Sequence, residues 1–332
     1  MKEFFSEKEG RVRFFCLVAT VFTVAMGAFN GALNVLFFEE RKYMYQQGSE
    51  GAWTVYYVLC TLTVLFFAVI YIINKRGQSA LMTDAILSGN ERIPFTVLRF
   101  IAGGAFLVGV GMRVYFFFKE KGGALPEIVV LAMIMCFFAL VFYLLPQPYV
   151  LEKKFGIGGN TAFCGMLGAV AFIIDTLAVY ADMTVPIASE YRLFTAVCAV
   201  LFLLALVLEI RMKVAEPNSY GYLAMLSIAT VVAGSTSIGR IASVIAGKAV
   251  SGTELARTVC GVAITVYFIS RLLSVVFAPA YIADCGGMTF IEVPPMEDDM
   301  IENCGGIPMP EPIPEIVEGE NESAEGSSED AE

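Results

Sequence analysis

"GYLAMLSIATVVAGSTSIGRIASVIAG", residues 221–247, contains a single charge, Arg240. A helix needs about 20 apolar residues to cross the roughly 30 Å hydrocarbon core of a bilayer, and this run exceeds that length. It reads as a membrane span. Arg240 is then an arginine inside lipid, where insertion scales charge about 2.5–3.5 kcal/mol near a helix centre. A charge in that position needs a reason.

Seven further stretches of comparable length and apolarity occur, at 14–38, 53–74, 97–118, 127–146, 160–181, 192–210 and 255–278. Backbone amides in lipid must be bonded within their own segment, so each is expected to be a helix. The composition agrees: 57% of residues are apolar, 16% are charged and the mean hydropathy is +0.71. Soluble domains average roughly a quarter charged. The first apolar run exceeds the core of a cleaved signal, about 7–15 residues, and is kept as a true span. The expected architecture is an all-α integral membrane protein. A bundle of eight transmembrane helices over 14–281 is flanked by a short N-terminal segment, 1–13, and a tail, 282–332. The longest connection, between spans two and three, predicts a short amphipathic surface helix at Ala80–Leu87.

The net charge of −10 divides unevenly. From Ala283 onward there are fifteen acidic residues and no Lys or Arg, which leaves 22 basic and 17 acidic groups, +5, in the remainder. The tail contains "GIPMPEPIPEIVEG", is poor in groups that could build a core, and is expected to be disordered. Its charge would repel phosphate, so nucleic acid is not an expected partner. With the N-terminus inside, twelve Lys and Arg fall on cytoplasmic segments and seven, Arg257 among them, outside. That bias places both termini in the cytoplasm of a cell-membrane protein.

The chain has no His. Zinc-dependent proteolysis, Ser–His proteolysis and His-based phosphatase chemistry all require an imidazole and drop out. Glu39-Glu40 reads as a helix-end charge cluster. Six of the eight cysteines (Cys16, Cys60, Cys136, Cys164, Cys198 and Cys260) lie within apolar runs, where a thiol behaves as a small apolar group. No metal site, cofactor motif or catalytic set is expected, and enzyme is the third-ranked class.

The halves 14–146 and 160–278 align as a 4+4 repeat. Arg113 in "GMRV" falls opposite Arg240 in "IGRI", and Cys136 and Tyr143 fall opposite Cys260 and Tyr267. Four helices per unit would make it a parallel repeat about the membrane normal.

The candidate solute-binding residues are Arg113, Arg240, Asp175, Asn30 and Asn34. They belong to spans one, three, five and seven and share the outer half of the bilayer. Both arginines follow small residues, "GGAFLVGVGMR" and "AGSTSIGR", of the kind that line helix contacts. The expectation is an outward-facing polar cavity with net positive charge, suited to a small anionic solute through guanidinium recognition. Arg271 is expected to snorkel to the inner head groups, with Glu209 as its alternative partner. The leading functional reading is a carrier. The alternative is a membrane-embedded sensor, scaffold or assembly component whose acidic tail docks a cytoplasmic protein. The lipid bilayer is a partner in either case.

Overall fold

The computed structural model describes residues 8–39, 44–45, 48–74, 93–119, 125–146, 158–182, 189–214, 219–248 and 251–277. The expected surface helix at 80–87 and the acidic tail lie outside them. Among the described residues, eight helices are long and apolar enough to cross a membrane. They are α1 (Lys8–Phe37), α2 (Glu50–Asn74), α3 (Ile93–Lys119), α4 (Glu127–Leu144), α5 (Gly158–Ala181), α6 (Glu190–Val214), α7 (from Ser219 to Ile245) and α8 (Gly252–Val276). Their apolar segments begin and end within four residues of the expected spans. Among the described residues the extended structure is one two-residue pairing, Phe38–Glu39 with Met44–Tyr45, after α1.

Local chemistry sets the helix ends. Leu145 is extended, with ψ 141°, because the ring of Pro146 disfavours a helical residue before it. Ser251 caps α8 by accepting from the Glu254 amide, the S-x-x-E arrangement of a capping box. Gly247, at φ +80°, terminates α7 as only glycine does without strain.

Six helices form a ring in chain order, α3–α4–α5–α6–α7–α8, closed by a long antiparallel contact between α8 and α3. α1 lies parallel along α7 and also touches α8, while α2 packs on α7. α7 and α8 are innermost, with 67% of their apolar segments buried against 22% for α2. The outward faces carry residues such as Leu65, Phe66, Phe100 and Phe163, which acyl chains would cover in a bilayer. Without a hydrophobic drive between helices in lipid, close contact at small residues takes over. A methyl built on Gly109 would lie 2.6 Å from the Cys260 sulfur, and one on Gly168 would lie 2.6 Å from Leu140.

The helix pairing does not follow the 4+4 alignment: exchanging the halves would map the α3–α8 contact onto α7 with α4, which are not packed along each other. The glycine pair Gly103-Gly104 stays helical. The irregular turn is instead in α7, where Thr230–Gly234 form a π turn. Below, the end of the bundle at which α1 begins is the proximal end and the opposite one the distal end.

Candidate functional site

Asp175 sits near the distal end of α5 and is almost fully buried. Two arginines hold it. Arg113 of α3 donates from Nη1 to Oδ1 at 2.8 Å and from Nη2 to Oδ2 at 3.2 Å. Arg257 of α8 donates from Nη2 to Oδ1 at 3.0 Å and from Nε to Oδ2 at 3.1 Å. Both contacts are bidentate, the geometry in which a guanidinium fork matches a carboxylate best. Arg113 also stands over the Phe137 ring of α4, 4.7 Å from its centroid. Its side chain is 8% exposed, that of Arg257 21%. Glu254, the capping-box residue one turn closer to the start of α8, is buried beside Arg257.

A second charged cluster lies toward the proximal end. Arg271 of α8 donates from Nη2 to Glu209 Oε1 of α6. The Tyr267 hydroxyl donates to the same oxygen at 2.6 Å and accepts from Arg271 Nε at 3.2 Å. Arg99 of α3, Tyr143 of α4 and Tyr222 of α7 are buried around this group. Arg271 is 3% exposed, so it does not snorkel to head groups; the carboxylate of Glu209 holds it inside the bundle. A lone charge here would carry a desolvation penalty of several kcal/mol, which a bonded opposite charge offsets.

Between the clusters runs a chain of buried phenyl rings. Phe106 meets Phe137, Phe137 meets Phe172, Phe172 meets Phe202, and Phe202 meets Phe268, with centroid distances of 5.4–6.2 Å. One ring or more comes from each of α3, α4, α5, α6 and α8. On α8 the clusters are fourteen residues apart, Arg257 to Arg271, about 21 Å of helix at 1.5 Å per residue.

The five sequence candidates divide into two groups. Arg113 and Asp175 meet directly. Arg240 turns elsewhere: its Nη2 donates to Thr195 Oγ1 at 2.7 Å and to the Tyr191 carbonyl at 3.3 Å, with the guanidinium 4.3 Å from the Tyr191 ring centroid. The second cation on Asp175 is Arg257. Asn30 packs against Gly239, where a methyl would overlap its amide oxygen at 1.9 Å. Asn34 donates to the Asn30 carbonyl at 3.0 Å, and its own carbonyl accepts from Lys248 at 3.4 Å. These two asparagines thus line the α1–α7 seam, apart from the Arg113–Asp175 pair. Near the π turn, the Tyr56 hydroxyl lies 3.0 Å from Ser235 Oγ and 3.1 Å from Thr236 Oγ1.

Sequence reading missed Arg257 and Arg99 because each lies within about two turns of a span end, where charges usually face water. A signal was present: Arg99 and Arg113 are fourteen residues apart, as are Arg257 and Arg271. That spacing is two heptads and keeps both ends of a helix on nearly one face. Two grooves, of about 410 and 550 Å³, are lined by residues of α2 with α6 and α7, and of α2 with α1. Neither contains an arginine. Among the described residues no three His, Cys, Asp or Glu converge as a metal ion would need.

No known protein family, no curated protein and no solved structure shows detectable similarity to the chain. The fold and site define the class: a multi-pass helical membrane protein with charged groups paired inside its bundle.

Proposed function

We propose that this protein is a carrier for a small anionic solute. One observation carries the reading: the bundle holds two buried arginine–carboxylate clusters, one toward each end, with an aromatic layer between them. Helices in lipid associate through small residues and neutral hydrogen bonds without burying ions, and ionisable groups inside spans most often mark a solute or ion path. Guanidiniums suit a carboxylate or phosphate because their forked donors match its oxygens. At the proximal cluster Arg99 and Arg271 face a single described carboxylate, Glu209. At the distal cluster Arg113 and Arg257 share Asp175, with Glu254 close by. Arg240, Asn30 and Asn34 belong to the wall formed by α1, α6 and α7.

The test is a thermal-shift screen of the purified full chain against inorganic phosphate and small mono- and dicarboxylates, with chloride as control. The stabilising anion is then followed in counterflow into proteoliposomes. The expected result is saturable stabilisation by at least one class and uptake that Arg113→Lys and Arg271→Lys each reduce by tenfold or more, a loss of about 1.4 kcal/mol. Stabilisation by none of these anions removes the anionic solute. Unchanged uptake in both variants removes the arginine role.

A further inference from the structure

The two ion pairs are related in the sequence. Adding 96 to Arg113 gives Glu209, and adding 96 to its partner Asp175 gives Arg271, the partner of Glu209. The same shift carries Phe106 to Phe202 and Phe172 to Phe268, four of the five rings between the clusters. It aligns "CGMLGAVAFIIDTLAV", residues 164–179, with "CGVAITVYFISRLLSV", residues 260–275, with seven of sixteen positions identical. Apolar helices align by chance when gaps are free, but this shift also reproduces contacts. Gly165 of α5 is packed on Tyr143 of α4, and Gly261 of α8, 96 residues on, is packed on Ser237 of α7, two positions from the shifted 239. The helix pairs follow too: α3–α4, α4–α5 and α3–α8 correspond to α6–α7, α7–α8 and α6–α5, all of them packed.

Three helices is an odd number. A second copy therefore enters from the opposite side, and the two are related by an axis in the membrane plane. Under such an axis the distal end of the first unit corresponds to the proximal end of the second. That is where the two ion pairs stand.

We infer that α3–α5 and α6–α8 are inverted three-helix units, and that Arg113–Asp175 and Arg271–Glu209 are the distal and proximal gates of one passage that open alternately. This rests on the carrier reading for its solute but not for its gates. Inverted units have two equivalent asymmetric arrangements, since each can take up the conformation of the other. In one the distal pair parts and the proximal pair holds; in the other the reverse occurs. In the state described here both pairs are formed and the phenylalanine layer is closed. The charges are exchanged between the copies, so opening either gate exposes both a guanidinium and a carboxylate. The additional arginines, Arg257 and Arg99, would keep cationic groups at both mouths for an arriving anion.

Cys260 provides a native reporter. It is buried one turn deeper along α8 than Arg257, behind the distal gate. N-ethylmaleimide labelling of Cys260 is measured on the purified full chain, by mass spectrometry of its peptide with Cys260→Ser as blank and no solute added. Asp175→Asn should raise the rate by about tenfold by favouring the distal-open state. Glu209→Gln, eleven residues of α8 away at Arg271, should lower it by about threefold, because the proximal-open state draws population from the distal-open one. Tyr267→Phe removes only the hydroxyl from Glu209 and should change the rate in the same direction as Glu209→Gln, which keeps the test usable if that variant does not fold. An unchanged or raised rate in the proximal variant, or a Cys260 still unlabelled in Asp175→Asn, overturns the gates. Opposed rates without stabilisation by any anion would keep the gates and remove only the solute class.

Discussion

The distal and proximal clusters accommodate buried charge differently. At the distal end one carboxylate takes five hydrogen bonds from two guanidiniums on different helices, and Arg257 keeps partial access to the surface. At the proximal end Glu209 pairs with Arg271, a tyrosine hydroxyl supports the pair, and Arg99 with two further buried tyrosines surrounds it. The first depends on charge matching among three helices. The second depends on a pair with a neutral hydroxyl attached. The distal cluster should therefore be the more sensitive to loss of its anion, and the proximal one the more tolerant.

The largest effect expected follows from that difference. Asp175→Ala strands two arginines and should cost at least about 3–5 kcal/mol, the range for leaving one buried charge unpaired. Glu209→Ala takes the carboxylate from Arg271 but leaves the Tyr267 hydroxyl on it, and should fall at the lower end of that range. Thermal midpoints of the two variants in detergent, run side by side, give the ranking. Equal losses would mean that the second guanidinium at Asp175 contributes little.

A charge exchange sharpens the comparison further. The double substitution Glu209→Arg with Arg271→Glu would give the proximal cluster the helix order of the distal one, arginine on the first helix and carboxylate on the third. It should recover to within about 2 kcal/mol of the parent, whereas each single change, placing like charges together without water, should prevent isolation of folded protein. Yield and midpoint of the three variants decide it. A double variant no better than the singles would show that Tyr267 and Arg99 fix the polarity of the proximal pair.

What the sequence revealed, and what it concealed, follows from the same physics. Span positions were legible because hydrocarbon thickness imposes a length that composition alone reports. Arg113 and Asp175 were legible as candidates because charge within apolar sequence is conspicuous, and the structure pairs them. Arg257 was not, because a charge five residues inside a helix end looks the same whether it turns outward or inward. Arg240 misled for a related reason. Its small neighbours do mark a close helix contact, but with Asn30 of α1, while its long side chain reaches Thr195 of α6. Composition shows that a helix face is crowded without showing which neighbour crowds it. The three-helix correspondence was concealed because its copies preserve the position of an ion pair while exchanging its charges, and a search for like residues pairs arginine with arginine.

A smaller effect tests the α1–α7 seam, which lies outside both clusters. Gly239→Ala would drive a methyl into the Asn30 amide and should cost about 1–3 kcal/mol by overpacking. Gly104→Ala, on the α3 face with no atom within 4 Å, should be neutral or stabilise by up to about 1 kcal/mol through helix propensity. Midpoints that shift equally for both would mean the glycines serve the helix backbone in general rather than a particular contact.

The smallest effect concerns polar groups that need no ion partner. Tyr56 joins α2 to α7 through Ser235 and Thr236, just beyond the π turn. Both hydroxyls also donate to the Val232 carbonyl, at 3.1 and 2.8 Å, so neither is stranded when the phenol oxygen is removed. Tyr56→Phe should cost about 0.6 kcal/mol, the average for interhelical hydrogen bonds in a membrane protein. The aromatic packing against Phe194 and Trp53 remains. A backbone carbonyl is available to a hydroxyl at every turn of a helix, whereas a guanidinium in the bundle has only the carboxylates that neighbouring helices provide. If Tyr56→Phe matched Asp175→Ala in cost, the clusters would lose their special standing, and the π turn with its attached tyrosine would become the better place to look for the moving part.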